Sequence, residues 1–161
     1  MTPTKTMRGF TLVEVIVVVL IIGLFIGLVS TVVQPDERSV LRVEVERLAQ
    51  LLDLAITESQ STGKPIGWTA DGAGYRFWRQ REDAGWSEIR DGGPLRARTL
   101  PEDMMISNLR VDAQRPQGTM RLEFLPYGQT LSFSVELMFG QARYAVIASP
   151  LGGLRAIPAQ E

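Results

Sequence analysis

Of the 161 residues, none is cysteine and none is histidine. The first absence excludes disulfides, thiolate nucleophiles and thiolate metal sites. The second removes the usual general base, and with it Ser-His-Asp catalysis and imidazole zinc ligation. An exported form of this chain must therefore fold without covalent cross-links. Charge of one sign is not in excess either: 17 basic and 18 acidic side chains leave a formal net charge of -1. No global field attracts nucleic acid or anionic lipid, so any such binding has to be local. Catalysis is left with carboxylates, hydroxyls, lysine and tyrosine. The adjacent acids Glu82-Asp83 and Glu102-Asp103 are of the kind that loops leave solvated, and no other acidic spacing argues for acid/base work. An Asp-x-Asp calcium loop is missing. Gly72-Ala73-Gly74 is followed by a strand pattern and lacks a third glycine, so it predicts a turn rather than a dinucleotide loop. We therefore expect no catalytic, cofactor-binding or metal-binding residues.

What the chain does have is 45% hydrophobic against 22% charged residues, the balance of one folded domain. Its mean hydropathy of +0.04 is high for that charge content and implies that the apolar residues are concentrated somewhere. They lie between Phe10 and Val33, where Glu14 is the sole charged side chain. As a helix, this run of about 24 residues spans roughly 36 Å, enough to cross a hydrocarbon core of about 30 Å with some tilt. Lys5 and Arg8 precede it without an acid, whereas Asp36, Glu37, Arg38, Arg42, Glu44, Glu46 and Arg47 come after it with mixed sign. The positive-inside tendency keeps the first nine residues cytoplasmic and exports the chain beyond Val33. A secretory signal begins similarly but ends at an Ala-x-Ala-like site, for which Ser30-Thr31-Val32 is a poor candidate. Glu14 is the anomaly, since a carboxylate within a bilayer-spanning helix costs about 2.5–3.5 kcal/mol. Either it snorkels to the headgroups or it finds a charge partner inside the membrane. Gly23 and Gly27, four apart, are spaced for close helix approach.

Pro35 is expected to bend the helix. Leu41, Val45, Leu48, Leu52 and Ala55 then recur at the spacing of an amphipathic helix with one face on a core. Gly63 and Pro65 end it, so the pattern predicts one Pro-bent helix from Phe10 to about Thr62. Beyond it the period drops to two. Ile66 and Trp68, then Tyr75 and Phe77, flank Asp71-Gly72-Ala73-Gly74 as a hairpin. Short strands are predicted near Ser87-Glu88-Ile89, over Leu95–Leu100, and from Met104 through Ile106 toward Leu109 and Val111. In the last third, Met120–Phe124, Leu131–Leu137 and Tyr144–Ala148 predict three consecutive antiparallel strands, the first two joined through Pro126 and Gly128. The plan is α+β, a long N-terminal helix packed on antiparallel sheet. The three tryptophans and Met104-Met105 serve equally well as interface anchors or as core.

Gly9-Phe10-Thr11-Leu12-Val13-Glu14 followed by the Val/Ile/Leu run resembles the class III signal of type IV pilins and type II secretion pseudopilins. The resemblance implies a type IV pilin-like fold divided into a leader (1–9), a transmembrane and filament-core helix (10–33), an amphipathic continuation (34–62) and a β-rich periplasmic head (63–161). Prepilin peptidase would cut between Gly9 and Phe10 and leave N-methylphenylalanine at Phe10. Glu14 would pair with the N-terminal amine of a neighbouring subunit. Phe124, Pro126 and Gly128, with a looser match at Gly153-Leu154-Arg155, are similar to fold determinants of the H-type minor pseudopilin domain. That domain implies a subunit near the pseudopilus tip, between minor pseudopilins of the I, J and K types and the major pseudopilin. It would be anchored in the bacterial inner membrane with its head in the periplasm. A minor pilin of a type IV pilus is the alternative. Its DNA-uptake variant is disfavoured because Arg79-Arg81 and Arg96-Arg98 are flanked by acids or turns, and the tail after Pro150 carries Arg155 alone. No nucleic-acid partner and no cofactor are expected.

Overall fold

The computed structural model describes residues 11–30, 36–81, 85–127, 131–149 and 153–159, with side chains of 26–30 outside the description. Pro35 and Gly128, at which a bend and a turn are predicted, also lie outside it. The chain divides into two units, Met1–Pro35 and Asp36–Glu161.

In the first unit, helix α1 runs from Leu12 to Ser30. Its 19 residues give a length of about 28 Å. Apart from Glu14 the sequence offers no polar stripe, and the described side chains from Leu12 to Phe25 are exposed on every face. Among the described residues no helix is long and apolar enough to cross a membrane. The apolar run itself continues past both ends of α1, at Phe10 and over 31–33, outside the description.

The second unit opens with α2, Glu37–Thr62. Asp36 caps it, its extended backbone (φ -61°, ψ 111°) letting its carboxylate accept from the Arg38 N–H at 3.2 Å. Gly63 ends it in the left-handed region at φ 70°, donating its N–H to Ser59 O at 3.0 Å. The predicted apolar stripe is the buried one, with Leu41, Val45, Leu48, Leu52 and Ala55 all fully enclosed.

Nine strands follow among the described residues: β1 (Ile66–Ala70), β2 (Gly74–Arg81), β3 (Gly85–Glu88), β4 (Arg98–Thr99), β5 (Met104–Val111), β6 (Met120–Phe124), β7 (Phe133–Phe139), β8 (Ala142–Ala148) and β9 (Leu154–Pro158). They form two antiparallel sheets. The first has the order β3-β2-β1-β6 with β4 added to β2, and the second the order β5-β7-β8-β9. The α2 helix packs on β1 and β6 of the first sheet and on β7, β8 and β9 of the second. The two sheets meet where the Phe124 and Phe133 rings approach to 6.1 Å. Trp68, Tyr75 and Phe77 form an aromatic row beneath the first sheet. Burying such side chains is worth about 1.5–3 kcal/mol each.

Three expectations are corrected. First, Met120–Phe124 and the strand after it are not hairpin partners. β6 pairs with β1 through Leu122↔Trp68, whereas β7 pairs with β5 and β8. The segment after Phe124 therefore carries the chain from one sheet to the other. Second, the segment predicted as a strand over Leu95–Leu100 pairs only at Arg98 and Thr99, while Leu95 and Leu100 plug the core as loop residues. Third, β9 adds a strand that the pattern does not predict, and it completes the second sheet with Leu154 opposite Ala148. The β3 strand closes at Glu88, and Ile89 beyond it donates its N–H to Phe77 O at 2.9 Å. The Phe10–Thr62 helix is represented by α1 and α2, and the residues between Ser30 and Asp36 lie outside the description.

Candidate assembly surfaces

Gly9 and Phe10 lie outside the described residues. Thr11 precedes α1 and caps it: its carbonyl accepts from the N–H groups of Glu14 (3.0 Å) and Val15 (3.3 Å), and its hydroxyl accepts from Glu14 N at 3.3 Å. This places Glu14 in the first turn, where the helix dipole favours an anion. Its side chain is exposed among Leu12, Val13 and Val15, themselves exposed by 78%, 68% and 49%. Among the described residues the Glu14 carboxylate has no ion-pair partner. A helix that is apolar all round is buried by lipid or by other helices, and Glu14 is the sole charged residue in the sequence of α1. Gly23 leaves open space on α1: among the described residues, no atom outside the neighbouring backbone of its own helix lies within 4 Å of the position of an added Cβ.

In the second unit the structure separates residues that the sequence left together. Trp68 and Met104 are core, at 0% and 4% exposure, whereas Met105 is 46% exposed. Trp78 and Trp86 lie on the outer face of the first sheet. Trp86 reaches from β3 across β2 until its ring lies over Gly67, where an added Cβ would come to 3.1 Å of it. Arg121 from β6 stacks over the Trp86 ring at 5.0 Å, and the Trp78 indole N–H donates to Thr69 Oγ1 at 2.8 Å. These five residues enclose an apolar hollow of about 160 Å³. Sequence reasoning missed it because its walls come from four strands; the one local signal is glycine between apolar strand positions at Gly67.

The other candidates disperse. Glu102 and Asp103 are both exposed, on a turn where Asp103 has φ 64°. Glu82-Asp83 lies outside the described residues. No three potential metal ligands gather among the described residues. Arg79 turns to Glu58 of α2 and to Asp91 at 3.6 Å, which ties the helix end to β2 and removes Arg79 from any exposed basic pair with Arg81. Ser59, fully buried, donates to Phe124 O at 2.8 Å and so anchors the end of β6 to α2. Tyr75 is 2% exposed and its hydroxyl has no hydrogen-bond partner among the described residues; burial pushes its pKa up to about 12, with Arg98 pulling the other way. The described surface thus divides into an apolar helix with one acid and a head with aromatic relief on one sheet.

Comparisons with known proteins agree with that division. Residues 44–152 match the family described as Type II transport protein GspH, and residues 4–30 match the prokaryotic N-terminal methylation motif. No curated protein matches. Among solved structures, the chain is similar to the minor pseudopilin EpsH of the Vibrio cholerae type 2 secretion system, at 21% identity over 78% of this chain and 100% of that one, with a TM-score of 0.60. A second, crystal structure of the Vibrio cholerae protein gives 17% identity, 78% and 99% coverage and a TM-score of 0.63. The solution structure of Escherichia coli GspH gives 20% identity, 77% and 93% coverage and a TM-score of 0.51. At these identities the likeness is one of fold.

Proposed function

The chain belongs to the Type II transport protein GspH family, and from that premise we propose that it is a minor pseudopilin, an adaptor subunit near the tip of a periplasmic pseudopilus that supports export of folded proteins. The observation that carries this reading is the pairing, in one polypeptide, of the family's head over residues 44–152 with the methylation motif over residues 4–30. The α1 surface supports it physically. An all-apolar helix satisfied by lipid before assembly is equally satisfied by its neighbours' helices in a filament core.

In this reading prepilin peptidase cleaves between Gly9 and Phe10, and Phe10 becomes N-methylphenylalanine. Cleavage removes Lys5 and Arg8 and creates an α-ammonium at the start of the mature helix. That ammonium, offered to the Glu14 of a neighbouring subunit in a low-dielectric core, offsets a charge that is otherwise costly there. Glu14 thereby registers one subunit against the next. The chain is anchored through 10–33 in the inner membrane, continues through 34–62, and carries its head, 63–161, in the periplasm. Its partners are minor pseudopilins of the I, J and K types and the major pseudopilin. The role is mechanical, with no enzymatic step assigned to any residue.

Co-purification tests the proposal. A tagged full chain extracted from membranes of its own host is expected to bring down pseudopilin-type proteins carrying the same methylation motif. Recovery with type IV pilus subunits and without a secretion pseudopilin would overturn the assignment.

A further inference from the structure

A cleft of about 340 Å³ opens at the N-terminal end of α2, between that helix, the β7–β8 turn and the end of β9. It has room for roughly ten waters. Two guanidinium-bearing residues from distant parts of the chain line it, Arg38 in the first turn of α2 and Arg143 on β8, together with Gln141, Tyr144 and Ala159. Among the described residues no carboxylate lines it. Two carboxylates stand at its rim on backbone N–H groups, Asp36 accepting from Arg38 N at 3.2 Å and Glu37 from Gln141 N at 3.3 Å, while Glu46 holds Arg42 at 2.7 Å. Among the described residues neither Arg38 nor Arg143 has an ion-pair partner, and both are exposed. Two cations thus line one concave space at the N-terminal end of a 26-residue helix whose dipole Asp36 and Glu37 already cap, so the two guanidiniums are what the cleft offers an anion.

Paired guanidiniums suit the planar, bidentate recognition of phosphate oxygens. The chain itself says which phosphate is at hand. Arg38 lies only five positions beyond Val33, the last residue of the apolar run, so the backbone cannot carry it farther than about 18 Å from the end of that run. We propose that this cleft binds the phosphodiester headgroup of an anionic membrane phospholipid. The inference rests on the anchoring reading above: the headgroup contact steadies the head at the bilayer before assembly, and extraction of the subunit breaks it.

The test uses the full chain in a neutral detergent, with native mass spectrometry reading retained phosphatidylglycerol against phosphatidylcholine, and inorganic phosphate added as competitor. The unaltered chain is expected to retain phosphatidylglycerol preferentially. R38Q/R143Q should lower that retention roughly tenfold, while Arg155→Gln, an exposed arginine outside the cleft, leaves it unchanged. Inorganic phosphate should compete only weakly; if it binds as tightly through the same two arginines, the cleft stands as a phosphate site and its lipid source is overturned. Equal retention by R38Q/R143Q and the unaltered chain overturns the proposal. Carbonate extraction of host membranes reads the anchor separately. Release of the chain there contradicts the membrane reading, whereas a carbonate-resistant chain without arginine-dependent retention contradicts the headgroup cleft alone.

Discussion

In the proposed reading Glu14 is the residue on which assembly turns, because a lone carboxylate on an otherwise apolar helix is costly unless a charge from outside the chain neutralises it. Glu14→Ala is expected to leave cleavage after Gly9 intact and to lower incorporation into the pseudopilus at least tenfold, measured by cross-linking to neighbouring subunits; normal incorporation would rule the pairing out. Glu14→Gln, close in shape, should fail similarly, since the lost quantity is charge. Within the head, Tyr75 makes a prediction of opposite sense. Its phenol titrates near 12 in the fold against an ordinary 10.0, so the folded state holds the proton longer. Stability from this group is whole below pH 10 and declines as pH rises from 10 to 12, by on the order of 2–3 kcal/mol. Tyr75→Phe should abolish that decline in urea titrations and, because the hydroxyl is buried without a partner, leave neutral-pH stability unchanged or higher. Ser59→Ala, by contrast, strands the Phe124 carbonyl and should cost about 1 kcal/mol or more. None of these head roles is legible from residue type alone. Ser59 and Phe124 lie 65 positions apart, and one sequence gives no means of pairing them.

At the scale of elements, legibility follows whether the signal is local. The α2 helix is readable to its last residue because every determinant is near in sequence: the apolar spacing from Leu41 to Ala55, and Gly63 in the left-handed conformation that stops the helix. Leu48→Ala removes a fully buried side chain from the middle of that stripe and should lower unfolding free energy by about 2–5 kcal/mol in a denaturant titration. Strand partners are not local, and there the sequence misleads. The loop with Pro126 looks like a hairpin turn, yet β6 is drawn to β1 by the register Ile66↔Phe124. A register shift between Ile106 and Asn108 inverts the alternation within β5, placing Asn108 and Leu109 both in buried positions and blurring a clean period-two pattern. The β9 strand escapes notice because Leu154, Ala156 and Pro158 make a thin apolar face, recognisable only once β8 stands beside it.

For the whole molecule, the division between an apolar helix and a cysteine-free α+β head fits a protein whose two parts meet different surroundings. In the proposed periplasmic setting the head holds its fold without disulfides, relying among the described residues on one helix and two sheets closed around a continuous core. Its thermal midpoint should therefore be indifferent to reductant, and a shift on adding dithiothreitol would mean that a partner contributes the stability. The motif at the N-terminus is legible in full from the order of residues 9 to 14, and the α+β plan from the change of period at Gly63. The two surface features of the head are not: the hollow at Trp86 and the cleft at Arg38 and Arg143 exist only where elements distant in sequence converge.

The most direct measurement is the mass and N-terminal peptide sequence of the chain isolated from membranes of a host with an active prepilin peptidase. The predicted result is a chain that begins at Phe10 and carries one methyl group on its α-amine, with residues 1–9 gone. A chain that retains Met1, or starts anywhere else, would contradict the pseudopilin reading.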